Sequence, residues 1–188
     1  MTNFLNGLEF YNPMVLHSEG TVAVVFYFTV YSFLGWMLEN SYSLATNRTF
    51  FKSNFLKGPF KPMYGIAPIA LVFLISKDTH WSVLVLLCLV IPTMVEYVSG
   101  VLLQKVFHRQ YWDYTHIPFQ LHGHICLPFS LCWILLSILC LKIIHPVIVS
   151  VYSAVDSYWI WAWPVATIYF LVELFWAIRR HTNQVLIN

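Results

Sequence analysis

Thr21-Val-Ala-Val-Val-Phe-Tyr-Phe-Thr-Val-Tyr-Ser-Phe-Leu-Gly-Trp-Met-Leu-Glu39 carries no charge until its last residue. A helix needs roughly 20 mostly apolar residues to cross ~30 Å of hydrocarbon. This stretch therefore predicts a membrane span over about Gly20–Asn40. Working outward, four more apolar blocks follow. They lie at about Pro62–Ser76 (short), Trp81–Phe107 (long, and so tilted), Gly123–Ile144 (stopped by Pro146) and Tyr158–Ile178 (closed by Arg179 and Arg180). The segment Val147–Ser157 is apolar but too short to span, and is expected to lie at the interface. Residues 1–17 are expected to do the same, with Phe4, Leu5, Leu8, Phe10 and Tyr11 facing lipid. The expected fold is all-α: a polytopic transmembrane helix bundle of about five spans, forming one membrane domain over residues 1–188.

Composition agrees. The chain is 59% hydrophobic and 10% charged, against roughly 25% charged in a soluble domain. A net charge of +2, with no basic arm, argues against nucleic acid as a partner. Residues 1–19 hold no Lys or Arg, so no cleavable signal is expected. Cys88, Cys126, Cys132 and Cys140 lie in or beside apolar segments and match no zinc spacing, so they read as small hydrophobes.

Basic residues set the expected orientation. Arg48, Lys52, Lys57 and Lys61 follow the first span, Lys105 and Arg109 follow the third, and Arg179 and Arg180 follow the fifth. Lys77 and Lys142 fall on the other side. By the positive-inside bias the N-terminus is outside and the C-terminus cytoplasmic, in a multi-pass protein of the cytoplasmic membrane.

Three carboxylates stand in or beside these spans: Glu39, Glu96 and Glu173. A charge at that depth is costly and normally faces a protein interior or a wet cavity. The orientation places all three toward the cytoplasm, where they are expected to line one vestibule. Gly35 lies one turn before Glu39 and Gly100 one turn after Glu96, which favours close helix packing. The alternative is that each Glu pairs with a nearby Lys or Arg and only holds the bundle together.

The loop after the first span holds Lys57-Gly58-Pro59, then Pro62 and Tyr64-Gly65; its prolines oppose helix and leave carbonyls unpaired. The loop after the third span holds Trp112-Asp113-Tyr114, then Gln120, His122, Gly123 and His124. Its aromatics suit an interfacial belt. Asp113 reads as a helix cap, an ion-pair partner of Arg48 or Arg109, or a substrate contact. The histidines match no metal-binding motif, so neither metal nor cofactor is expected. Without a phosphate-binding glycine loop the chain does not hydrolyse nucleotide alone.

The residues of both loops resemble those of small bacterial membrane proteins catalogued as ABC-transporter permeases. The likeness covers about Tyr31 to Pro146. It rests on Tyr31-Ser-Phe-Leu-Gly-Trp36 with Glu39, Arg48, Leu56-Lys-Gly-Pro-Phe60, Pro62-Met-Tyr-Gly65, Glu96-Tyr97, Trp112-Asp-Tyr114, Pro118-Phe119, Gly123, Ile125-Cys-Leu127 and His145-Pro146. Asn54 stands where glycine is common, Gln120 replaces a usual asparagine and His124 a usual arginine.

The resemblance implies a permease-type subunit or small carrier, with membrane lipids and a separate ATPase or further copies of itself as partners. Residue chemistry leaves a second reading open: a membrane-embedded enzyme acting on a lipid or isoprenoid headgroup. There Arg48, Lys57 or Lys61 would hold a phosphate, and Asp113, Glu96 or a histidine would move a proton. A non-catalytic membrane factor is the third.

Overall fold

The computed structural model describes the backbone from Pro13 to Ile187 and the side chains from Gly20 to Asn183. The lipid-facing role expected for Phe4, Leu5, Leu8, Phe10 and Tyr11 falls outside these residues. The fold is all-α. The helices are α1 (Pro13–Asn47), α2 (Pro62–Leu74), α3 (Trp81–Phe107), α4 (Leu127–Leu139) and α5 (His145–Ile187). A π turn, Cys140–Ile144, joins the last two, and a two-stranded ribbon precedes α4: β1 (Gln120–Leu121) and β2 (Ile125–Cys126).

Among the described residues, three stretches are long and apolar enough to cross a membrane: Gly20–Asn47, Trp81–Phe107 and Leu127–Asn183. The first begins where Gly20, at φ 71° and ψ −167°, breaks the helical backbone within α1. That conformation is open to glycine and strained for other residues. The helix then continues past the expected end at Asn40 to Asn47. Helix α2 has only 13 residues, about 20 Å of rise. Pro62 starts it, where a missing N–H costs little.

Helix α3 shows most directly why this is a membrane bundle. Leu84, Cys88, Pro92, Glu96 and Gly100 recur every fourth residue and are buried. Leu86, Val90, Met94, Val98, Leu102 and Val106 recur at the same interval on the outside and are exposed. A water-soluble helix would reverse this arrangement, with its polar residues outward. Here the carboxylate is inside and the aliphatic stripe is exposed.

Lipid tails are as apolar as leucine, so close packing and polar contacts must hold such helices together. The α1–α2 contact uses both. A Cβ on Gly35 would lie 2.2 Å from the Tyr64 ring, and one on Gly65 would lie 2.4 Å from Ser32 Oγ. Lys61 N donates to Ser32 O at 3.1 Å across the same seam. Phe26, Tyr27, Tyr31 and Val72 form one core with Ile148 and Tyr152 of α5. Leu71, Ile75, Leu84 and Cys88 form a second, against Ile134 and Ile138 of α4.

The fourth and fifth segments differ from expectation. Helix α4 starts at Leu127 rather than Gly123, because residues 120–126 form the ribbon. Two residues of its three-residue loop, His122 and Gly123, have positive φ. His124 N closes the turn on Leu121 O at 3.1 Å.

Pro146 does not stop the helix. The π turn before it, with His145 N bonded to Cys140 O, widens the backbone where the proline ring would otherwise press on the preceding turn. Consequently Val147–Ser157 is no separate short segment. It is the first part of α5, and Ile148 and Tyr152 are buried against α1.

Helix α5 cannot be straight. His145 stacks on Tyr31 and Phe170 packs edge-on against Phe28, one turn away on α1. A straight helix would separate His145 and Phe170 by about 37 Å, beyond the reach of these side chains. The chain therefore bends between Trp159, whose Nε1 donates to Val22 O, and Phe170. Pro164 lies in that interval and supplies a recognised cause of kinks.

Candidate functional site

Glu96 is buried on the inner face of α3, and both carboxylate oxygens are occupied. Trp133 Nε1 of α4 donates to Oε2 at 2.7 Å, and the Tyr114 hydroxyl donates to Oε1 at 3.0 Å. Burial, followed by the neighbouring Glu96 charge, pushes the Tyr114 hydroxyl far above its usual range, so it stays protonated and donating. Tyr114 is itself fixed, stacked on Phe129 and bonded through its amide to Gly123 O.

Glu39 lies close enough for its charge to act on Glu96. Its Oε2 accepts from Lys61 Nζ at 2.6 Å, with Lys52 Nζ at 3.6 Å. Burial lowers the Lys61 pKa, and Glu39 opposes that shift. Tyr64 stands beside both carboxylates, and its ring lies 5.4 Å from that of Trp133. Two carboxylates, two lysines, two tyrosines and a tryptophan thus converge where α1, α2, α3 and α4 meet.

An apolar groove of about 360 Å³ runs up to this cluster. Leu34 and Leu38 of α1, Ala67 of α2, Val95 of α3 and Leu136 of α4 line it, together with Tyr64 and Trp133 of the cluster.

The other candidate residues lie elsewhere. Glu173 does not join Glu39 and Glu96. It accepts the amides of Lys57 and Gly58, so it holds the first loop onto α5. Those amides need an acceptor because Pro59 bends the loop there, with Phe60 N closing on Gly58 O at 2.8 Å. Gly58 is required at the contact, since a Cβ would meet the Tyr169 hydroxyl at 2.9 Å.

Arg48 is exposed and ends α1 in the left-handed conformation, its amide bonded to Leu44 O. Asp113 caps no helix. Its Oδ1 accepts from Thr115 N at 2.9 Å, which holds its pKa below the ordinary carboxylate value. Gln120 Oε1 accepts from Gly123 N at 2.7 Å and fastens the ribbon turn. Trp112 Nε1 donates to His124 O at 2.8 Å, His124 packs on Gly100, and the His122 ring bonds the Tyr97 hydroxyl. Among the described residues, no three or more His, Cys, Asp or Glu side chains cluster so as to hold a metal.

Two residues of the site region were not anticipated. Trp133 signals itself only as an indole in mid-span, whose N–H needs a partner. Asn40, 1% exposed, bonds Trp36 O and accepts from Lys52 N, tying the first loop to α1.

Residues 26–178 match the family model described as "Putative ABC-transporter type IV". The chain belongs to this family. The match extends beyond the Tyr31–Pro146 likeness into α5 and includes Glu39, Glu96, Lys61, Tyr114 and Trp133. No curated protein and no solved structure matches the chain.

Proposed function

We propose that this chain is a permease-type subunit or small carrier that binds part of its cargo at the Glu96–Glu39–Lys61 cluster. One observation carries the reading: a buried carboxylate with both oxygens engaged is held by Trp133, which also lines an apolar groove. Intramembrane carboxylates mark ion and substrate paths by default. Membership of an ABC-transporter family supports coupling to a separate ATPase subunit. The bundle is taken to cross the membrane five times, α5 contributing to two crossings through its bend, with the N-terminus outside and the C-terminus cytoplasmic. The loops around Gly58 and Trp112 then face the cytoplasm, where such a subunit would dock.

The groove also favours a second reading, an enzyme acting on an amphiphile's headgroup. Its apolar walls suit a chain, and the carboxylates and tyrosines of the adjoining cluster suit proton transfer.

Purification of the tagged full chain from its own host in mild detergent separates the two. The permease reading predicts a co-purifying nucleotide-binding subunit whose ATP hydrolysis is altered by Glu96→Gln. A chain that purifies alone and chemically converts an added amphiphile without nucleotide would overturn it in favour of the enzyme.

A further inference from the structure

A second cavity, about 710 Å³, opens between the first loop, the second loop and the end of α5. Lys52, Lys57, Arg109 and Arg180 line it, with Asn54 and His181. No carboxylate is among the described residues that line it. Lys52 shares its charge with Glu39 at 3.6 Å; Lys57, Arg109 and Arg180 are the other basic residues of the lining. Arg180 is held in place, its guanidinium donating to Phe55 O at 2.8 Å. Concave positive surfaces with low-dielectric walls concentrate anions.

His181 supplies the second, independent observation. It is 6% exposed, and its Nε2 bonds the Tyr111 hydroxyl at 2.8 Å. Its Nδ1 is buried without a hydrogen-bond partner among the described residues, as is Asn54 Oδ1. When Tyr111 donates to Nε2, Nδ1 carries the proton. A buried N–H without an acceptor is costly, and a ligand seated in the cavity would relieve that cost once the ring turned toward it. The Asn54 amide, turned by half a rotation toward the cavity, would offer an NH₂ group in the same way.

We infer that this basic cavity is a binding site for a phosphate group, distinct from the Glu96 cluster. Guanidinium and ammonium groups with neutral N–H donors form a set suited to phosphate oxygens. The phosphate belongs either to a free solute or to a lipid headgroup, and the test separates these sources.

Full-length protein in dodecyl maltoside, which carries no phosphate, is titrated with inorganic phosphate and, separately, with phosphatidic acid in mixed micelles. Both titrations are run at 150 mM chloride to screen diffuse attraction, and binding is read by calorimetry and native mass spectrometry. Wild type is expected to bind at least one probe. Lys57→Gln/Arg109→Gln should weaken that binding about tenfold or more, whereas Lys57→Arg/Arg109→Lys should largely retain it. Circular dichroism checks that both variants keep their helices. Binding of inorganic phosphate supports a soluble ligand; binding of phosphatidic acid alone supports a lipid headgroup. Absence of binding by either probe, or equal binding by wild type and Lys57→Gln/Arg109→Gln, overturns the inference.

Discussion

Glu96 accepts from one N–H and one O–H, and an amide cannot accept from both on two oxygens. In Glu96→Gln the carbonyl can keep Trp133 while the NH₂ donates to the Tyr114 oxygen, so the Tyr114 proton loses its acceptor, at a cost of about 1–3 kcal/mol. Thermal unfolding in micelles should show that loss with helicity intact; an unchanged midpoint would mean the donors do not depend on the charge. Lys61→Met should cost more, about 3 kcal/mol, because Glu39 keeps only the longer Lys52 contact. Combining it with Glu39→Leu should recover much of the loss, whereas additive losses would deny the pairing. Asp113 gives a pH test. Its folded pKa lies below the unfolded one, so its contribution is fully present above about pH 4. It fades as pH falls toward the folded value. The stability gap between wild type and Asp113→Asn should therefore shrink below pH 4, and a constant gap would contradict this. Glu96 was legible in the sequence because an acid among aliphatic residues is conspicuous. Trp133 and Asn40 were not, since their partners are distant in sequence or belong to the backbone. Glu173 was misplaced for the same reason: its partners are two amides, and no side-chain pattern announces them.

At the scale of elements, glycines and prolines decide how the helices meet. Gly35→Ala drives a methyl into Tyr64, and should cost about 1–3 kcal/mol as overpacking. Leu135→Ala, at a side chain 73% exposed, should stay within about 0.5 kcal/mol. Equal effects on the thermal midpoint would show that the α1–α2 seam is not tight. The helices themselves were legible from the length of their apolar blocks. Their ends were less so. Pro146 reads as a stop because proline breaks regular α-helix, yet a π turn lets the chain continue. Gly123 reads as the start of a span, but its positive φ belongs to a hairpin turn. Both errors concern backbone states available to the same residues, and only the folded surroundings choose between them.

For the whole molecule, the apolar exterior of α3 and its buried carboxylate define a membrane bundle with a polar interior site. The proposed orientation is testable in a variant whose four cysteines are replaced. In intact cells, a membrane-impermeant maleimide should label Lys77→Cys and spare Lys57→Cys; the reverse pattern would invert the topology. The central claim is that the Glu96 cluster binds a ligand rather than merely joining helices. Native mass spectrometry of wild type and Glu96→Gln, each extracted gently from the host, tests it most directly. The account predicts a bound small molecule on the wild type that is lost from the folded variant. The same bound species on both, or none on either, would reduce the cluster to packing.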